Sequence, residues 1–248
     1  MTWYQLMGYI STVALLFPVA LIFFLRLYRN KSLLILMVYY LSAFIYNLLS
    51  EKIIDVPLPY VKGYGIFNNL LDVPLALMYL LYFTKSTDLR KKIQIAILAF
   101  LAFEVLVTFM LGFSRNTIAI ILGPGILIIV LLSFIFFIDQ VKEVVQHGKA
   151  AGKALMASST LFLYGCFFII YLFWYVYKTP DVENAFLVYF YVVTLSSLLA
   201  SIGLIIEKKR LKILDELQTT QNELSRLYPN EKIVFPKETA NSLENNKF

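Results

Sequence analysis

The chain has 248 residues, 60% of them hydrophobic and only 15% charged, with a net charge of +6 and a mean hydropathy of +0.74. That is too little polar surface to coat a water-soluble globule of this length, so the expected solvent is a lipid bilayer. The long runs are continuously apolar and do not alternate over ~10 residues, which argues against a β-barrel and predicts an all-α polytopic membrane protein.

Seven runs reach about 20 residues, enough to cross a ~30 Å hydrocarbon core. The first is Tyr4–Leu27. No basic residue precedes it, as a cleaved signal peptide would require, so it reads as a retained helix. The second is Ser32–Leu49, with Asn47 and Glu51 at its far end. Residues Glu51–Gly63 contain Pro57 and Pro59 and read as an irregular cap.

The third span, Tyr64–Phe83, has the most polar interior. Asn68, Asn69, Asp72, Ala76 and Tyr79 recur at steps of three or four residues and share one helical face. Asp72 lies roughly 12 Å inside the start of the span at ~1.5 Å per residue. An ionised aspartate there costs about 2.5–3.5 kcal/mol, so it is expected to face the bundle interior and be protonated, hydrated or hydrogen-bonded. Pro74 leaves a backbone carbonyl without its donor and kinks the helix beside it. Asn47 and Glu51 either extend this stripe into a polar vestibule or sit as ordinary interfacial residues.

The fourth span, Ile93–Phe113, contains Glu104 at roughly 16 Å from its start. Two acids at similar depth can share a proton or a cation. Alternatively each bonds separately to tyrosines such as Tyr39, Tyr40, Tyr164 or Tyr171. The fifth, Thr117–Ile138, is weakened by Gly123-Pro124-Gly125, either as a structural kink or as a broken helix lining a substrate site. It continues as helix through DQVKEVVQHGKAAGK until Gly148.

The sixth span is Ala154–Tyr177, and its Cys166 is the only cysteine, so no intramolecular disulfide forms. Trp174, Tyr175, Tyr177, Phe186, Tyr189 and Tyr191 read as an aromatic belt at the outer interface. The seventh, Ala185–Ile206, places Ser196, Ser197, Ala200, Ser201 and Gly203 at the small-residue spacing of close helix packing. Three parts follow: the bundle of residues 1–206, a cytoplasmic helix at 207–228, and a polar tail at 229–248 too hydrophilic to pack. On the cytoplasmic helix, Leu214, Leu217, Gln221, Leu224 and Tyr228 form a short heptad-like seam. Such a seam pairs two copies of the chain as a homodimer, docks on a protein partner, or lies along the membrane.

Orientation follows from the basic residues. Arg26, Arg29 and Lys31, then Lys85, Arg90, Lys91 and Lys92, then Lys142, Lys149 and Lys153, and finally Lys208, Lys209, Arg210 and Lys212 fall on one side. The other side holds Lys52, Lys62, Arg115 and Lys178. The positive-inside rule puts the N-terminus outside and the C-terminus in the cytoplasm. The charge excess is therefore read as facing anionic lipid head groups, with no nucleic-acid partner.

Absences narrow the chemistry. His147 is the only histidine and falls in a loop, which disfavours intramembrane zinc, bis-histidine haem and Ser-His catalysis. No span carries an interior lysine for a retinal Schiff base. No cofactor, metal site or catalytic residue is therefore expected. A lipid-modifying enzyme is the least favoured class.

The span region, with IIEKKRLKILDELQTTQNELSRL running on from its last helix, resembles the seven-transmembrane sensor modules of bacterial signalling proteins. The resemblance implies a bacterial inner-membrane location, sensing of a ligand or partner, and a signal passed along span seven. No kinase, cyclase or DNA-binding domain follows, so it also implies that the output is another protein. Two readings stand at this point. One is a non-enzymatic receptor-like or accessory subunit with ligand-binding candidates Asp72, Asn68, Asn69, Glu104, Asn47 and Tyr79. The other is a proton- or cation-coupled transporter using Asp72 and Glu104.

Overall fold

The computed structural model describes residues 2–84, 86–148, 150–176 and 182–227. Seven α-helices account for nearly all of them: α1 Trp3–Phe24, α2 Lys31–Ser50, α3 Leu58–Phe83, α4 Thr87–Leu111, α5 Arg115–His147, α6 Ala151–Tyr171 and α7 Val182–Leu227. All seven are long and apolar enough to cross a membrane. The least hydropathic is α3, the helix that carries the polar stripe, at 1.4 against 2.9 for α5.

Local chemistry explains the boundaries. Thr2 and Gln5 form a reciprocal capping box at the start of α1, and Asn30, Ser86 and Ser114 cap α2, α4 and α5. Each side-chain oxygen satisfies an amide that the first helical turn leaves without a partner. Gly148 ends α5 with φ of +61°, a conformation open to glycine at little cost. The expected cap at Glu51–Gly63 is shorter than the prolines suggested. Helix α3 begins at Leu58 and Pro59 sits in its first turn, where a missing N–H breaks no bond.

Six helices close a ring in the order α1, α2, α3, α5, α6, α7 and back to α1, while α4 stands outside it, packed on α3 and α5. Gly125 explains how α3, α4 and α5 approach one another. A Cβ there would lie 2.6 Å from Val73 Cγ2 and 2.9 Å from the Phe100 ring. The outer face of α4 exposes Leu98, Val105, Phe109 and Met110, with Phe109 89% accessible. An apolar face of that kind needs lipid.

The tightest seam joins α6 to α7. Gly152 and Gly203 bring the backbones together, and two turns further Ser159 Oγ donates to the Ser196 carbonyl at 2.8 Å while Ser196 Oγ donates to the Ser159 carbonyl at 3.2 Å. The small residues of span seven thus pack as their spacing predicts. Helix α7 is one unbroken 46-residue helix, and its packed part extends past Ile206. Glu207 is buried and ion-paired to Arg210, and Leu211 still touches the core. Leu217 is exposed and Leu214 half-buried, whereas Tyr228 and the side chain of Gln221 lie outside the described residues.

Candidate functional site

The upper end of the bundle is that at which α1 begins and the α2–α3 loop turns. Inside the ring, in its upper half, lies a chamber of about 160 Å³. Helices α1, α2, α3, α5, α6 and α7 all line it, through Leu15, Tyr39, Tyr40, Ala43, Tyr46, Asn68, Asn69, Asp72, Leu122, Ile126, Leu163, Phe167, Tyr189, Val193, Ser196 and Ser197. A larger vestibule of about 740 Å³ lies above it and shares Tyr46, Asn69, Leu122, Ile126, Phe167 and Tyr189 with it. The two form one depression that narrows onto Asp72. Deeper in the bundle Ile22, Leu33, Leu77, Ile129 and Leu204 are each fully buried, so the interior below the chamber is packed with apolar side chains.

The polar groups around Asp72 divide into spent and unspent ones. Asn68 Oδ1 accepts from Ser42 Oγ at 2.7 Å, and Tyr64 Oη donates to the Ser42 carbonyl at 3.3 Å. Asn68 therefore mainly clasps α3 to α2. Asn69 donates its amide to the Gly65 carbonyl of its own helix at 2.8 Å, which leaves its side-chain oxygen to the cavity. Tyr164 Oη donates to Tyr39 Oη at 3.2 Å, and both hydroxyls are hydrogen-bonding neighbours of the Asp72 carboxylate. Each phenol has one proton, so the pair supplies at most two bonds to Asp72, and only one when Tyr164 gives its proton to Tyr39. Lone pairs on the carboxylate remain for an incoming group. Ser197 Oγ on α7 is buried without a hydrogen-bond partner.

The structure brings together only part of the predicted set: Asp72, Asn68 and Asn69. Glu104 lines neither cavity. It is buried on the α4 face formed by Leu89, Ile93, Phe100, Glu104 and Val107, and α4 lies outside the ring, so the two acids do not share a site. Tyr79 shares the helical face of Asp72 but lies two turns deeper, where its ring stacks on Phe83 at 5.1 Å and its hydroxyl lies near Thr160. Asn47 is buried with its amide nitrogen unpartnered, and it does not line the chamber. Glu51 is half-buried against Gly8, and burial pushes its carboxyl above the usual range.

Tyr189 was expected in an aromatic belt. It points inward instead, stacked on Phe167 at 5.3 Å, and forms a wall of the chamber. Tyr189, Val193, Ser196 and Ser197 recur at helical spacing, and that period is the signal for an inward face. Tyr171 takes up the loosened stretch of α5, donating to the Ala119 carbonyl at 3.0 Å beside Gly123. Gly123-Pro124-Gly125 is thus not a break, for α5 is continuous across it. No protein-family model, curated protein or solved structure matches the chain.

Proposed function

We propose that this chain is a receptor-like or accessory integral membrane protein of the bacterial inner membrane. Its N-terminus lies outside, a ligand enters the chamber from the upper, extracytoplasmic end, and the C-terminal part of α7 contacts a protein partner. The observation that carries this reading is the shared helix. The wall of the chamber opposite Asp72 belongs to α7, which runs without interruption from Tyr189 past the buried Glu207–Arg210 pair to Leu227. A ligand that displaces this wall moves the whole rod, because a helix transmits displacement along its axis with little bending. The packed apolar interior below the chamber supports binding at a dead end over passage of a solute.

Two experiments test the two halves. Gentle purification followed by native mass spectrometry is expected to find a small molecule retained on wild type and lost on Asp72→Asn, with no solute flux in sealed vesicles. Flux that depends on Asp72 would replace this reading with a coupled transporter. Deleting residues 213–248, beyond the last core contact at Leu211, is expected to abolish partner association without lowering the melting temperature of the bundle. Undiminished association would refute the role given to the C-terminal helix.

A further inference from the structure

The class of ligand follows from what the chamber walls offer, and this step rests on the reading of the chamber as a ligand site. Among the described residues, Asp72 is the only charged group lining it, and no Lys, Arg or His is present to neutralise that carboxylate from inside. Asn69 Oδ1 is an acceptor left free by its amide's bond to Gly65, and Ser197 Oγ is able to accept; the donors of the lining, among them the Asn68 amide and the tyrosine hydroxyls, are neutral and do not balance the carboxylate's charge. A charge with no internal counter-ion, enclosed by largely apolar walls, favours an occupant that brings the opposite charge.

The rest of the wall is aromatic. Tyr39, Tyr40, Tyr46, Phe167 and Tyr189 contribute rings. Phe167 and Tyr189 lie nearly parallel, with 15° between their planes, and make a flat panel. Tyr39, Tyr164 and Tyr189 all lie within electrostatic reach of Asp72. A carboxylate among π faces suits an ammonium, whose charge spreads over several C–H or N–H groups and is attracted to the ring quadrupoles. A bare metal cation wants about six converging oxygens. Here Ser42 already bonds to Asn68 Oδ1, and Tyr164 and Tyr39 bond to one another. Size agrees as well. A free volume of about 160 Å³ is close to that of the ~150 Å³ engineered cavity that admits benzene, so one ring or a compact alkyl group fits. Any longer tail extends into the vestibule.

We propose that the chamber binds a monovalent organic ammonium, its charged head against Asp72 and its apolar body along the Phe167–Tyr189 panel toward the vestibule.

The test uses the full chain in lipid nanodiscs, titrated with benzylammonium, the neutral isostere benzyl alcohol, benzoate, and sodium or potassium chloride, read by calorimetry and thermal melting. Benzylammonium is expected to bind at least tenfold tighter than the alcohol, about 1.4 kcal/mol, with no response to benzoate. Asp72→Asn is expected to erase that tenfold preference. Ala43→Leu keeps Asp72 but fills the chamber, and is expected to abolish binding of both ring compounds, which covers the case that Asp72→Asn fails to fold. Equal binding of alcohol and ammonium, or a response to the inorganic cations alone, overturns the ammonium assignment while the chamber stands as a site. Unchanged binding in Ala43→Leu, or no response to any probe, overturns the chamber itself as the place of binding.

Discussion

Replacing Gly152 by alanine should damage the protein, although the same change usually strengthens a helix. A Cβ at Gly152 would lie 2.6 Å from Glu207 N, 2.7 Å from the Gly203 carbonyl oxygen and 3.0 Å from Glu207 Cα. All three are backbone atoms of α7, so no side chain can rotate away, and the helices must part. Overpacking of this kind costs about 1–3 kcal/mol. The Ser159–Ser196 hydrogen bonds two turns along, at 2.8 and 3.2 Å, would stretch as well, at about 0.6 kcal/mol each. Gly152 is in the first turn of α6, where the helix-propensity gain falls well short of the ~1 kcal/mol available in a helix interior. The expected net loss is about 2 kcal/mol. Gly165, in the middle of α6, is the control: nothing lies within 4 Å of a Cβ there, so Gly165→Ala should gain up to about 1 kcal/mol. Reversible unfolding of both variants in bicelles reads the two signs. Gly152→Ala at or above wild-type stability would refute the backbone contact between α6 and α7.

Three further outcomes are expected. Glu207→Gln removes the carboxylate that Arg210 bonds to and leaves it only the more distant influence of Glu143, and should lower stability by about 2 kcal/mol; a change under about 0.5 kcal/mol would show that the pair is hydrated. Ser133→Ala removes a buried hydroxyl that has no hydrogen-bond partner and should raise stability by about 1 kcal/mol, a gain that a drop in melting temperature would contradict. Glu51 has its carboxyl raised by burial from an ordinary 4.5. The folded state therefore holds the proton more tightly, and this group's contribution is present at low pH and lost as pH rises through the folded value. Relative to Glu51→Gln, wild-type stability should fall as pH rises from about that ordinary value upward, and parallel stability curves would contradict it.

The spans and the long α7 were legible in the sequence, because run length and hydropathy are set by the bilayer alone. The site was legible only along each helix. Spacing placed Asn68, Asn69, Asp72 and Tyr79 on one face, yet a face meets different neighbours at different depths, so the chamber takes the first three and the packed interior takes Tyr79. Glu104 matched Asp72 in depth, but depth says nothing about which helices adjoin. Helix α4 packs on the outside of α3 and α5, with Phe100 meeting Val73 at Gly125, and so holds Glu104 outside the ring. Of the aromatic residues read as an outer belt, Tyr189 faces inward for a related reason, whereas Tyr175 and Tyr191 are exposed, and Tyr177 and the side chains of Trp174 and Phe186 lie outside the described residues. Composition marks Tyr189 as interfacial, while the helical period through Tyr189, Val193 and Ser196 marks it as interior. Tyr39 and Tyr164 were recognisable as partners for an intramembrane acid, but which acid depended on the packing order.

The central claim, that Asp72 charges a chamber open at the extracytoplasmic end, is tested most directly by thiol labelling. Leu122 lines both the chamber and the vestibule, so Leu122→Cys in a Cys166→Ser background places one reporter at their junction. Methanethiosulfonates bearing a trimethylammonium or a sulfonate group are added to one side of sealed, oriented vesicles. The cationic reagent should react at least tenfold faster than the anionic one from the extracytoplasmic side, and Asp72→Asn should remove most of that preference. Equal rates for the two reagents with Asp72 present, or labelling only from the cytoplasmic side, would contradict the claim.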